Sequence, residues 1–185
     1  MENTKEKLRK LEFILKEKNA PILKYFNPGL SRLEIVAFFE RNGIKTNESL
    51  IALYEWHNGI DFVNAHVLQP VIELLPMGVF YTTDYMIKTK EDLISWHYLE
   101  LGDISEYLPL FGSGEDDIYL LKQTTGEIFY IAPAIQILGS LEYKSIDSML
   151  DNVIECYEEG IFIIDSETGL DVKYEEWAES QMKYK

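Results

Sequence analysis

The run from Tyr107 to Ile131, YLPLFGSGEDDIYLLKQTTGEIFYI, constrains the fold more than any other stretch. Residues 118–122 and 128–131 are short, rich in β-branched and aromatic side chains, and joined by Gln123-Thr124-Thr125-Gly126-Glu127. A glycine near the end of such a loop is the signal of a hairpin closed through a left-handed residue. Side chains alternate across a strand, so Ile118 and Leu120 face one way, Tyr119 and Leu121 the other. Both faces are apolar, which predicts a hairpin inside a covered sheet and not at a solvated edge. Residues 108–111 supply another strand, and Gly112-Ser113-Gly114 turns the chain between the two.

The flanks carry helical signals. Leu8, Leu11 and Leu15 recur at helical spacing between Lys and Glu, predicting an amphipathic helix over residues 4–18, laid on the domain surface. Ser31 and Glu34 form a capping-box pattern before Ile35, Val36, Phe38 and Phe39, and Gly43 stops the run, predicting a helix over residues 32–42. Asn47 caps a third helix with Leu50, Leu53, Tyr54 and His57 on one face, closed by Asn58-Gly59. Residues 71–75 and 79–83 read as short strands. Thr89 and Asp92 read as the start of a helix through Leu93, Ile94, Trp96 and His97, followed by a polar connection at residues 102–106.

A further strand is expected within residues 136–141. Ser145 then caps a helix carrying Met149, Leu150, Val153, Ile154 and Tyr157, stopped by Gly160. Residues 161–164 form an apolar strand candidate, and residues 174–183 a last helix. Helices, then mostly short strands, then helices again predict an α+β fold, not alternating βαβ units. There is no internal repeat and no linker long enough to divide the 185 residues, so one domain over residues 1–185 is expected.

Charge narrows the partners. With 32 acidic against 17 basic residues the formal net charge is −15. A phosphate backbone needs a Lys/Arg footprint this chain lacks, and an anionic membrane repels it, so neither nucleic acid nor membrane is an expected partner. The acids suit a basic protein, whose encounter they would steer, or simply keep the chain soluble. The single cysteine, Cys156, excludes an intramolecular disulfide and suits a reducing compartment. The first residues, MENTKEKLRKLEFILKEKNA, hold no apolar signal core, and no run reaches the roughly 20 apolar residues of a membrane span, so the cytoplasm is the expected location.

Catalytic patterns are missing from the sequence. His57, His66 and His97 have no metal-ligand spacing and there is no HExxH. His57 is expected to bond the last carbonyls of its helix. Cys156 sits in a helix between glutamates, which disfavour a thiolate, and no GxSxG holds a serine. Gly112-Ser113-Gly114 lacks the Gly-Lys-Ser/Thr of a phosphate loop, and Glu115, Asp116 and Asp117 would repel a phosphate. Those acids offer oxygen to Ca²⁺ or Mg²⁺, although consecutive residues seldom complete a coordination shell. In residues 165–169 the glycine comes one position early for an EF-hand loop, and the segment reads as a turn.

Two segments together resemble the SUKH superfamily, also called the SMI1/KNR4 family. SLIALYEWHNG, residues 49–59, is similar to that family's helix with a His-Asn-Gly or Tyr-Asn-Gly exit. LPLFGSGEDDIYLLKQTTGEIFYI, residues 108–131, resembles its strand, glycine turn, acidic residue, strand, Gly-Glu turn and strand. Where the family commonly has a Gly-Asp pair, this chain has Glu115-Asp116. Order and spacing agree over about residues 30–160.

The resemblance implies a small, curved, mostly antiparallel sheet packed against helices. It also implies a binding protein without a shared catalytic set, whose bacterial members are immunity proteins that neutralise toxins. The expected function is therefore non-enzymatic binding of a cognate toxin, such as a basic nuclease, without cofactor or metal. Glu115, Asp116 and Asp117 are the expected contact residues. A housekeeping regulator or scaffold of the same fold is the alternative, and a metal-dependent enzyme using the same three acids is a second.

Overall fold

Helix α1 (Thr4–Glu17) starts where Asn3 specifies it. The Asn3 side chain accepts the Glu6 N–H at 3.0 Å, and the Glu6 carboxylate accepts the Asn3 N–H at 2.9 Å, so two otherwise orphaned donors are satisfied. Leu8, Leu11 and Leu15 are fully buried, and even Lys7 is 8% exposed. This helix is therefore part of the core on its apolar side and not merely a cover. A 3₁₀ turn at Pro21–Lys24 leads to the short strand β1 (Phe26–Pro28). The Ser31–Glu34 capping box then starts α2 (Arg32–Arg41), as its sequence pattern requires.

Asn47 accepts the Leu50 N–H at 2.7 Å and begins α3 (Glu48–Trp56). Its end differs from expectation, because His57 is already extended (φ −148°) and opens β2 (His57–Ile60), which pairs antiparallel with β1. A single turn, α4 (Phe62–Ala65), follows.

The strand expected over residues 71–75 does not form. Pro70 lacks an N–H and favours a turn, so Gln69–Ile72 is a 3₁₀ turn. Leu74 and Leu75 are buried without a ladder, and Leu75 makes only an isolated bridge to Gly78. Their apolar character reports burial, not a strand.

Strand β3 (Val79–Phe80) is shorter than the expected residues 79–83, because the chain turns at once into α5 (Thr83–Ser95). The Thr82 hydroxyl accepts the Tyr85 N–H at 3.1 Å, and the Asn58 side chain accepts the Thr83 N–H at 3.1 Å. Thr89 is thus a buried residue inside that helix and not its cap. The computed structural model describes residues 3–95, 102–114, 117–132 and 137–185. Trp96, His97, Glu115, Asp116 and Gln136 lie outside the described residues.

After a 3₁₀ turn at Ile104–Glu106 come β4 (Tyr107–Gly112), β5 (Ile118–Lys122), β6 (Ile128–Ala132) and β7 (Ile137–Tyr143). With β3 they form an antiparallel sheet whose spatial order, β3-β4-β5-β6-β7, is also the chain order. Strand β5 is its middle member, and Ile118, Tyr119, Leu120 and Leu121 are each at most 2% exposed. The hairpin is buried on both faces, as its two apolar faces predict. Gly126 closes it at φ +82°. Extra residues, Leu110 in β4 and Gly139 and Glu142 in β7, shift the register, and such bulges bend the strand that carries them.

Ser145 caps α6 (Ile146–Glu158). A separate hairpin, β8 (Phe162–Asp165) with β9 (Gly169–Val172), precedes α7 (Tyr174–Gln181). One contiguous apolar cluster runs from Leu8 to Leu170, joining the helices to the sheet. Helix α1 packs against both α3 and α6. Lys7 Nζ donates to Asp151 at 2.7 Å and to the Asp147 carbonyl at 3.2 Å, and the Thr4 hydroxyl reaches Asp147 at 2.9 Å. Across the sheet, Tyr54 of α3 meets Phe80, which stacks on Phe111. The architecture is α+β, with an antiparallel sheet packed against helices and an amphipathic helix at the N-terminal end. Among the described residues no helix is long and apolar enough to cross a membrane.

Candidate partner-binding face

The expected contact residues fall on the turn between β4 and β5. Of the three, Asp117 is described and is half-buried. The Tyr130 hydroxyl donates to one carboxylate oxygen of Asp117, and the Ser113 hydroxyl lies 3.4 Å from the other. The Asp117 N–H donates to the Ser113 hydroxyl at 3.3 Å, and its carbonyl accepts the Ser113 N–H at 2.9 Å. Asp117 therefore closes the turn and ties it to β6, which leaves less of its carboxylate for a metal or a partner. Burial first, then the neighbouring Asp117 charge, pushes the Tyr130 phenol up, keeping it a donor.

The glycines of this turn answer to packing. A side-chain carbon at Gly112 would lie 2.2 Å from the Tyr81 hydroxyl and 2.4 Å from the Asp117 carbonyl oxygen. At Gly114 (φ +88°) it would lie 2.4 Å from the Phe62 ring. The Gly114 N–H donates to the Tyr81 hydroxyl at 3.3 Å, and the Tyr85 hydroxyl donates to the Gly114 carbonyl at 3.2 Å. Phe62, Tyr81 and Tyr85 form one aromatic group, with centroids 4.7–5.8 Å apart. The turn rests on this group. Its tight backbone fits an aromatic surface, not a phosphate.

The His57-Asn58-Gly59 corner reaches the same place from the other side. Gly59 (φ +62°) sits so close to Tyr81 that an added side-chain carbon would lie 2.3 Å from the Tyr81 carbonyl carbon. Asn58 accepts the first N–H of α5 and takes a bond from Asn27 through its carbonyl at 3.4 Å. The His57 ring does not bond the last carbonyls of α3; only its backbone N–H does, donating to the Leu53 carbonyl. Its ring stacks on Phe26 at 4.3 Å, with Nδ1 3.1 Å from the Asn27 carbonyl and Nε2 3.2 Å from Glu12. The reason is that α3 has already ended at Trp56, so the ring points across to β1 and α1. Burial would raise the Glu12 carboxyl, but hydrogen bonds from Lys16 and His57 outweigh it and hold it below its ordinary value. Each residue of this corner joins two distant segments, so its role is structural.

Tyr81 thus joins the two segments singled out in the sequence. It packs under Gly59, forms a parallel bridge with Ile60, donates its N–H to Leu110 at 2.9 Å, and carries the 112–114 turn on its hydroxyl. Burial pushes its phenol well up, so it stays protonated. Nothing in sequence spacing marks Tyr81, because the two segments it joins, at Gly59-Ile60 and Leu110–Gly114, lie more than 20 residues away on either side.

Beside this joint opens a cleft of about 430 Å³ between α4 and the start of α5. Ile60, Phe62 and Tyr85 line it on the apolar side, and Asp61 and Asp84 stand exposed at its rim. Val63, at 61% exposure, adds an apolar side chain at the same edge.

The chain matches no family model, and no curated protein matches it.

The remaining chemical candidates resolve into structure. Cys156 is buried, and burial pushes its thiol up to about 11, so the reactive thiolate is scarce at neutral pH. His66 is exposed in a left-handed conformation (φ +50°), far in sequence from any patterned ligand. Among the described residues no group of three or more His, Cys, Asp or Glu is arranged to hold a metal. Asp165 accepts the N–H groups of Glu167 and Thr168 at 2.8 and 2.7 Å, which makes residues 165–169 the expected turn and lowers the Asp165 carboxyl.

Proposed function

We propose that this chain is an immunity-type protein of the SUKH superfamily, which binds and neutralises a cognate toxin in the cytoplasm. It acts by occupying the toxin, without cofactor or catalysis of its own. The observation that carries this reading is the meeting of residues 49–59 and 108–131, the two segments of the resemblance, at Tyr81. A shared structural joint explains why those two motifs would occur together in one chain. The net charge of −15 supports a basic partner, since an acidic surface speeds encounter and discriminates against acidic competitors.

Co-expression with a toxin encoded beside this gene tests the reading. The expected result is rescued growth and an isolable complex whose association slows as salt rises. Continued killing, with no complex even at low salt, would end it.

A further inference from the structure

We propose that the cleft between α4 and the first turn of α5 seats an arginine side chain presented by a basic protein partner. The inference deepens the binding function proposed above and rests on it for the identity of the partner, though not for the chemistry of the cleft.

Two features of the cleft fit a guanidinium. Its floor is aromatic: Phe62 and Tyr85 meet edge to face at 4.7 Å, offering ring faces on which a flat cation can lie. Its rim bears two exposed carboxylates, Asp61 and Asp84, each next in sequence to one of those rings. Asp61 uses one oxygen to accept the Asn64 amide at 2.7 Å, which fixes its orientation and leaves the other oxygen free to accept. Asp84 forms no salt bridge among the described residues, so its charge is available to an incoming cation.

The ring face already attracts a cation from within the chain. Lys88 Nζ lies 5.7 Å from the Tyr85 ring centroid and is exposed, one turn along α5 from Asp84. A lysine held there loosely is easily displaced by a group that binds the same surface better. Arginine qualifies because its planar fork matches a carboxylate with two parallel hydrogen bonds, stacks on an aromatic ring, and loses less hydration than an ammonium. A lysine from a partner would gain only the point charge. The exposed Val63 at the edge would exclude water from such a contact, as the rim of a binding hot spot does.

The cleft also sits where a bound arginine would be held by the rigid part of the molecule. Tyr85 is fixed through its hydroxyl to Gly114, and Phe62 packs against the same glycine. Binding there needs little ordering of the receptor, which is the condition for a strong anchor.

The test uses the intact protein and two capped tripeptides, acetyl-Gly-Arg-Gly-amide and acetyl-Gly-Lys-Gly-amide, followed by amide NMR shifts. The arginine peptide should saturate, shift Ile60, Phe62 and residues 82–85, and bind about ten-fold tighter than the lysine peptide. The double variant Asp61→Asn, Asp84→Asn keeps the Asn64 contact possible and should abolish saturation. Lys88→Gln vacates the ring face and should tighten arginine binding about two- to five-fold, a gain that no loss of folding can imitate. Equal, unsaturating responses to both peptides, or an arginine response unchanged in both variants, would overturn the proposal. If a toxin is neutralised equally well by the double variant, the cleft is not its anchor and the immunity function stands. If no toxin is neutralised but the arginine peptide saturates the cleft, the seat stands and the partner is another basic protein.

Discussion

Gly59 is the residue on which the two halves of the candidate face depend. Its φ of +62° and its approach to the Tyr81 carbonyl leave no room for a side chain. Gly59→Ala combines a left-handed strain with a backbone clash and should cost about 3 kcal/mol or more, read from urea unfolding. A cost of less than about half a kcal/mol would show that Tyr81 can withdraw freely. Glu12 makes a different statement at the same scale. Its folded carboxyl lies below its ordinary 4.5, so its stabilising contribution is complete above pH 4.5 and disappears as pH falls through the lower folded value. The stability gap between the parent and Glu12→Gln should therefore narrow from about pH 6 to about pH 3. A gap that stays constant would mean that His57, Trp56 and Lys16 do not hold that carboxylate.

At the scale of elements, a contact between Tyr130 and Asp117 ties the end of the β4–β5 connection to β6. Tyr130→Phe and Asp117→Asn should each cost about 1.5–3 kcal/mol, the range for a hydrogen bond to a charged group. Their double variant should fall short of the sum by about 1 kcal/mol, because the two act through one bond. Strict additivity would show that the turn is held by Ser113 and the glycines alone. Elements were legible in the sequence wherever their determinants are local. The Ser31–Glu34 box, the Asn47 and Ser145 caps, and the glycine-closed β5–β6 loop all specify their own structure within a few residues. Residues 71–75 misled because burial, with Tyr157 donating to the Leu74 carbonyl at 3.2 Å, produces the same apolar run as a strand. Strand β9 went unread because GLDV is short, and what holds it is distant in sequence or supplied by its partner: pairing with β8, and packing against the Gln69–Ile72 turn. Helix α5 starts earlier than Thr89 because Thr82 and Asn58, the latter 25 residues back, accept the N–H groups of its first turn. The candidate face was least legible for the same reason: its members meet through Tyr81, and no local pattern encodes that meeting.

For the whole molecule, the surplus of 15 negative charges opposes compaction through self-repulsion. Added salt screens that repulsion, so stability should rise between about 20 and about 300 mM NaCl, seen as a higher urea midpoint. A midpoint that falls would mean that pairs such as Lys7–Asp151 and Arg32–Glu48 outweigh the net field. The same Lys7–Asp151 contact has a consequence in time. It joins residues 144 apart in a chain made from the N-terminal end, whereas the main sheet pairs each strand with the one made just before it. The sheet can assemble as it emerges, but the leucine face of α1, which α3 covers on one side, is not fully covered until α6 arrives. At cellular synthesis rates that wait is on the order of ten seconds. During it, the first helix made keeps part of its apolar strip exposed on a nascent chain, the kind of surface chaperones hold, and a ribosome stalled before residue 146 would leave that part uncovered.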